Sequence, residues 1–82
     1  MIDEFDVVAL RVPLPDAHMY DGSDGLQIGD QGAVVDASPD GRYFIVEFFR
    51  EDETVAIETV TPDQVRLVQQ VRPAPKHKTV KA

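Results

Sequence analysis

Hydrophobic and polar positions alternate in five short runs separated by turn residues. Alternation with a period of two over roughly four to eight residues marks a strand with one buried face. The first run, from Phe5 to Val12, sets Val8, Leu10 and Val12 on one face and Val7 and Ala9 on the other. Pro13 and Pro15 end it, because proline has no amide hydrogen to give to a ladder. The second, from Gln31 to Ala37, sets Ala33, Val35 and Ala37 against Gly32, Val34 and Asp36. The third, from Arg42 to Phe49, offers Phe44, Val46 and Phe48 as the core face, with Tyr43, Ile45, Glu47 and Phe49 opposite. The fourth, from Thr54 to Val60, sets Val55 and Ile57 against Ala56, Glu58 and Val60. The fifth, from Val65 to Val71, carries Val65, Leu67 and Gln69 on one face.

The connections sharpen this picture. Ser38-Pro39-Asp40-Gly41 predicts a tight hairpin, with proline presetting one φ and glycine free to adopt a positive one. Arg50 to Glu53 makes a second, charged hairpin loop. Thr61, Pro62 and Gln64 read as an N-cap, a first helical position and a capping-box partner, enough for one helical turn. Pro13 to Gly29 has no sustained period, and long loops of that kind are functional or disordered. The predicted fold is all-β: a small, partly open, five-stranded SH3-like barrel with one short 3-10 or helical turn before the last strand. Closing the sheet protects edges that a flat one would expose. An OB-fold is the alternative, although it usually has more chain between its third and fourth strands. Residues 1–71 form the domain, and residues 72–82, with two prolines and four basic residues, read as a flexible, disordered tail.

Four segments carry a family resemblance: "EFDVVALRVPLP", "LQIGDQGAVVD", "DGRYFIVEFF" and "TVTPDQVRLV". The chain resembles a group of short bacterial and archaeal proteins classed as a domain of unknown function with an SH3-like barrel. The shared plan falls on Asp6, Val7, Val8 and Leu10, then on Leu26, Gly29, Asp30, Gly32, Val34 and Val35. It continues on Tyr43 or Phe44, Val46, Glu47 and Phe48, and ends on Leu67. It covers roughly Glu4 to Val68. The insert near "HMYDGSDG" and the basic tail depart from it. The resemblance implies a barrel and a partner without naming the partner.

Charge adds asymmetry. The fifteen acids all lie at or before Asp63, so residues 1–65 carry 3 − 15 = −12 and residues 66–82 carry +5. An acidic body does not suit nucleic acid phosphates and favours partners with a basic surface. The candidate partner surface is Asp16, Tyr20, Asp21 and Asp24 in the long loop, Glu51, Asp52 and Glu53 in the charged hairpin, and Tyr43. The expected function is a non-catalytic binding or accessory module, in one version an antitoxin or immunity-type inhibitor of a basic enzyme. The alternative is a nucleic-acid-binding barrel that uses the basic tail. With no cysteine, neither a disulfide framework nor a thiolate metal site is available. The N-terminus has three acids in six residues and no apolar run of about 20 residues follows, so a cytoplasmic protein is expected.

Other chemistry finds little support. Gly29, Asp30 and Gly32 lack the lysine and following helix of a phosphate loop. They read as scaffold: a positive φ at Gly29, backbone hydrogen bonds to Asp30, and close approach or a bulge at Gly32. Asp16, His18, Asp21 and Asp24 match neither calcium nor zinc spacing, so no metal or cofactor is expected. No serine or threonine sits in a nucleophile elbow, and no enzyme activity is expected.

Overall fold

In a computed structural model, which describes residues 2–70, the chain forms five antiparallel strands in one sheet. They are β1 (Val7–Leu10), β2 (Gln31–Ala37), β3 (Phe44–Arg50), β4 (Glu53–Val60) and β5 (Val65–Gln69). A 3-10 turn, Pro62–Gln64, precedes β5. The order is β4-β3-β2-β1-β5, so the last strand returns beside the first and the sheet curls on itself. The hydrogen-bonded order does not close, and β4 and β5 remain its two edges. The predicted all-β class and strand count therefore hold. Val71 and the tail of residues 72–82 lie outside the described residues.

Phe48 is the largest fully buried side chain of the core. Val8, Leu10, Val34, Val46, Phe48 and Val60 are essentially fully buried, joined by Phe44, Val55, Ala56 and Val65. The predicted β3 face, Phe44-Val46-Phe48, is the buried one. Leu26 completes this core from the loop between β1 and β2. Its backbone pairs with Leu14 in both directions, at 2.8 and 3.0 Å, so the loop is pinched shut at its base.

Strand ends and faces differ from the periodic reading for identifiable reasons. β1 is shorter than Phe5–Val12. Phe5 turns with φ 71°, and beyond Leu10 the Arg11 amide donates to the Gln64 carbonyl at 2.7 Å, which carries the pairing of β1 with β5 one residue further. Val12, past the end of the strand, is exposed rather than core. The predicted Ser38–Gly41 turn forms, with the Gly41 amide donating to the Ser38 carbonyl at 3.0 Å and Gly41 at φ 75°, inside a hairpin that closes between Ser38 and Tyr43. Ser38 Oγ accepts the amides of Arg42 and Tyr43, at 2.9 and 3.1 Å, which holds both out of β3. At the 3-10 turn the Thr61 amide donates to Gln64 Oε1 at 2.9 Å, the predicted return half of a capping box.

Three bulges break the simple alternation, and in each the extra residue is a valine. On β2, Val34 faces Val46 and Asp36 faces Ile45, leaving Val35 over and exposed. On β4, Ala56 faces Phe48 and Thr54 faces Phe49, leaving Val55 over. On β5, Leu67 faces Val8 and Gln69 faces Val7, leaving Val68 over. A bulge inserts a residue and shifts the phase of everything beyond it. That is why Val55 and Ala56, neighbours predicted on opposite faces, are both buried, while Ile57 is 44% exposed. Leu67 also stays largely exposed, because nothing covers β5 beyond Val65 among the described residues.

Candidate functional site

Asp30 and Arg50 tie three segments together at one end of the sheet. Asp30 Oδ2 accepts the Gln27 amide at 2.8 Å, which closes the turn through Gly29, whose φ of +94° favours glycine. Arg50, the last residue of β3, grips the same carboxylate twice, Nε to Oδ1 at 3.2 Å and Nη2 to Oδ2 at 2.6 Å. It also reaches the long loop, donating to Ser23 Oγ at 3.1 Å and to the Gly25 carbonyl at 3.2 Å. Partial burial pushes the Asp30 carboxyl up, but the bonds from Arg50 and the Gln27 amide outweigh it and hold it below the usual carboxylate range. The bond to Asp30 in turn raises Arg50. Asp30 thus accepts backbone hydrogen bonds as its position predicts, and takes the cation as well.

The long loop is held against the sheet at a second place. The Tyr20 amide donates to the Val55 carbonyl at 2.8 Å, and the His18 amide to Glu58 Oε2 at 2.9 Å. Both acceptors are on β4, so the loop covers part of that edge. Ala17 and Met19 turn inward onto the core, which leaves His18 and Tyr20 facing outward, stacked edge to face with ring centres 5.7 Å apart. Opposite stands the β3–β4 hairpin. Arg50 pairs with Glu53, and Glu51 and Asp52 make the turn with φ of 51° and 69°. Two consecutive positive φ values are those of a type I′ turn, the geometry that fits the twist of a two-residue hairpin.

Loop and hairpin enclose a groove of ≈ 540 Å³ lined by Tyr20, Asp21, Glu51, Glu53 and Thr54, with Val55 and Arg50 completing it. Three carboxylates face a single guanidinium, and that guanidinium is already held by Asp30. Asp21 Oδ1 accepts both the amide and the hydroxyl of Ser23, at 3.0 and 2.7 Å. The Ser23 hydroxyl bond, then the amide bond, keep Asp21 ionised below the usual range. Thr54 donates its hydroxyl to the Glu47 carboxylate on the neighbouring strand.

The predicted surface residues separate into two groups. Tyr20, Asp21, Glu51 and Glu53 converge on this groove, and Asp52 sits exposed on the turn beside it. Asp16 and Asp24 are exposed in the same loop but do not line the groove. Tyr43 lies just before Phe44, at the far end of β3, roughly 23 Å away at about 3.3 Å per residue. Arg50, Thr54 and Val55 escaped the sequence reading. A lone arginine opening an acidic hairpin is a weak signal, and nothing local says that its partner is Asp30.

Among the described residues no group of three or more His, Asp or Glu side chains is placed to hold a metal ion. No helix among them is long and apolar enough to cross a membrane. The groove brings together one exposed aromatic ring, three carboxylates and one guanidinium.

Neither a curated protein nor a solved structure matches the chain. A family model does, over residues 4–67, from the turn before β1 to the middle of β5. The match takes in every strand together with the loop and the hairpin of the groove, and by it the chain belongs to the family described as Domain of unknown function (DUF4926).

Proposed function

We propose that this chain is a non-catalytic binding module that engages a protein partner with a basic surface through the end of the sheet where the long loop meets the β3–β4 hairpin. The observation that carries this reading is the convergence of Tyr20 and Asp21 with Glu51 and Glu53 around one groove. These residues lie about thirty positions apart in the chain, and the docking of Tyr20 on Val55 brings them together. Among the described residues the one cation lining the groove is bound to Asp30, so they present net negative charge outward. A lysine or arginine entering between Asp21 and Glu53 gains charge-assisted hydrogen bonds and the face of the Tyr20 ring.

In its most concrete form the module is a small cytoplasmic inhibitor of a basic enzyme, of the antitoxin or immunity kind, which acts by occupying the enzyme's cationic surface. Complementary charge speeds the encounter and makes it sensitive to salt. The test is recovery of tagged protein from its native host at low salt, with mass spectrometry of what stays bound. A basic protein retained by the unaltered chain and lost from the variant Glu51→Lys with Glu53→Lys supports the reading. A partner retained equally by both counts against it.

A further inference from the structure

A second groove, of ≈ 640 Å³, lies at the opposite end of the sheet, and nothing so far has used it. Its lining is mostly apolar: Ile2, Pro39, Phe44 and Pro62, with the carboxylates of Asp3 and Asp40 beside them. Asp40 is paired with Arg42 at 3.3 Å, but both side chains are largely solvated, and pairs of that kind are worth little and exchange readily. An apolar lining that includes two prolines, with two acids beside it, suits an extended segment carrying prolines and cations.

We infer that the occupant is this chain's own basic C-terminal segment, residues 71–82. Three observations lead there. The first is where the described chain stops. Gln69 at the end of β5 faces Val7, Val7 faces Ala33, and four residues further along β2 Ala37 faces Phe44 in the groove. Two strand spacings of about 4.8 Å and four residues of about 3.3 Å put the groove roughly 16 Å from that point. The twelve residues that follow Gln70 span about 37 Å when extended at about 3.1 Å each, which is ample. The second is charge. The segment contributes Arg72, Lys76, Lys78 and Lys81 and no acid, against Asp3 and Asp40 in the groove and a strongly acidic body around them. The third is composition. Pro73 and Pro75 favour the extended conformation that apolar, proline-lined grooves accept, and they lie just ahead of the lysines. The matched family region ends at residue 67, before this segment.

Tethering makes the docking intramolecular and therefore independent of protein concentration. The absence of cysteine allows a direct test on the full chain. A nitroxide is attached to Thr79→Cys, and paramagnetic broadening of backbone amide signals is read by NMR. The amides of Ala37, Gly41 and Phe44 are expected to lose most of their intensity at every protein concentration. They should recover it in roughly 1 M salt, where the Debye length is about 3 Å. They should also recover it when Lys76, Lys78 and Lys81 are changed to Glu, with the other amide positions unmoved as proof of folding. Uniform weak broadening overturns the proposal. So does broadening centred on Thr54 and Tyr20, which would send the segment to the other groove. Broadening that grows with concentration overturns it too, because the occupant would then come from a second copy.

Discussion

Asp30 shows how much one side chain can hold when its charge is spent inside the molecule. It closes the turn before β2 and anchors Arg50, which in turn holds Ser23 and Gly25 of the long loop. Because the Asp30 carboxyl is depressed in the folded state, its contribution is present above the unfolded value of about 3.9 and is lost as pH falls through the folded one. Asp30→Asn is therefore expected to cost about 1–2 kcal/mol at neutral pH, discounted for the partly exposed arginine. The gap to the unaltered protein should narrow below about pH 5, where the unfolded carboxylate begins to protonate. Urea unfolding at pH 7 and pH 3 measures it, and a gap that ignores pH would refute the charge assignment. Gly32 is a second single-residue test. A Cβ there would lie 2.5 Å from the Glu47 carbonyl oxygen and 2.6 Å from Val46 Cγ1. Gly32→Ala should cost about 1–3 kcal/mol, since backbone as well as side chain must yield. Both roles were partly legible in the sequence. The turn at Gly29 and Asp30 is local, so spacing alone reveals it. Arg50, twenty residues further on, is invisible to any local pattern.

Among the elements, the β3–β4 hairpin carries the clearest tension. A type I′ turn favours Asn-Gly, yet Glu51 and Asp52 occupy it with positive φ and a cost of about 1–2 kcal/mol each. Strained residues cluster at functional sites, which fits the place of Glu51 on the groove. Glu51→Asn combined with Asp52→Gly should stabilise the protein by about 1–2 kcal/mol, read from the urea midpoint, while weakening partner binding. A loss of stability would remove the strain argument. The long loop makes a separate prediction, because its amides divide sharply by partner. Leu14, Tyr20 and Leu26 donate to backbone carbonyls at 2.8 to 3.0 Å. Their amides should exchange with deuterium much more slowly than that of exposed Asp24, and equal rates would mean that the loop is not docked. Strands were legible because their hydrophobic period is local. The docked loop was not, since Leu26, Met19 and Tyr20 show no period and their contacts lie far along the chain. Ala37 was put on the wrong face, and Val55 and Ala56 were set apart, for one reason: a bulge leaves no mark in the sequence and inverts the alternation across it.

For the molecule as a whole, charge and topology act together. Curling brings the β1–β2 loop against β4, and so places loop acids beside hairpin acids at one end of the sheet. The surplus of acids was plain from composition. Which of them cooperate was not, and the fold selects Asp21, Glu51 and Glu53 while setting Tyr43 at the other end. Partner affinity should therefore depend on these three carboxylates and on Tyr20 far more than on Asp16, Asp24 or Tyr43, although all are exposed. The most direct measurement is titration calorimetry of the recovered partner against the unaltered chain and against Asp21→Asn with Glu51→Gln and Glu53→Gln. It should be repeated from roughly 0.01 to 1 M salt, across which the Debye length falls from about 30 to about 3 Å. Affinity should drop steeply with salt for the unaltered chain. At low salt the variant should be weaker by about tenfold or more, equivalent to at least about 1.4 kcal/mol. Binding that ignores both salt and the loss of the three charges would contradict the acidic groove as the partner surface.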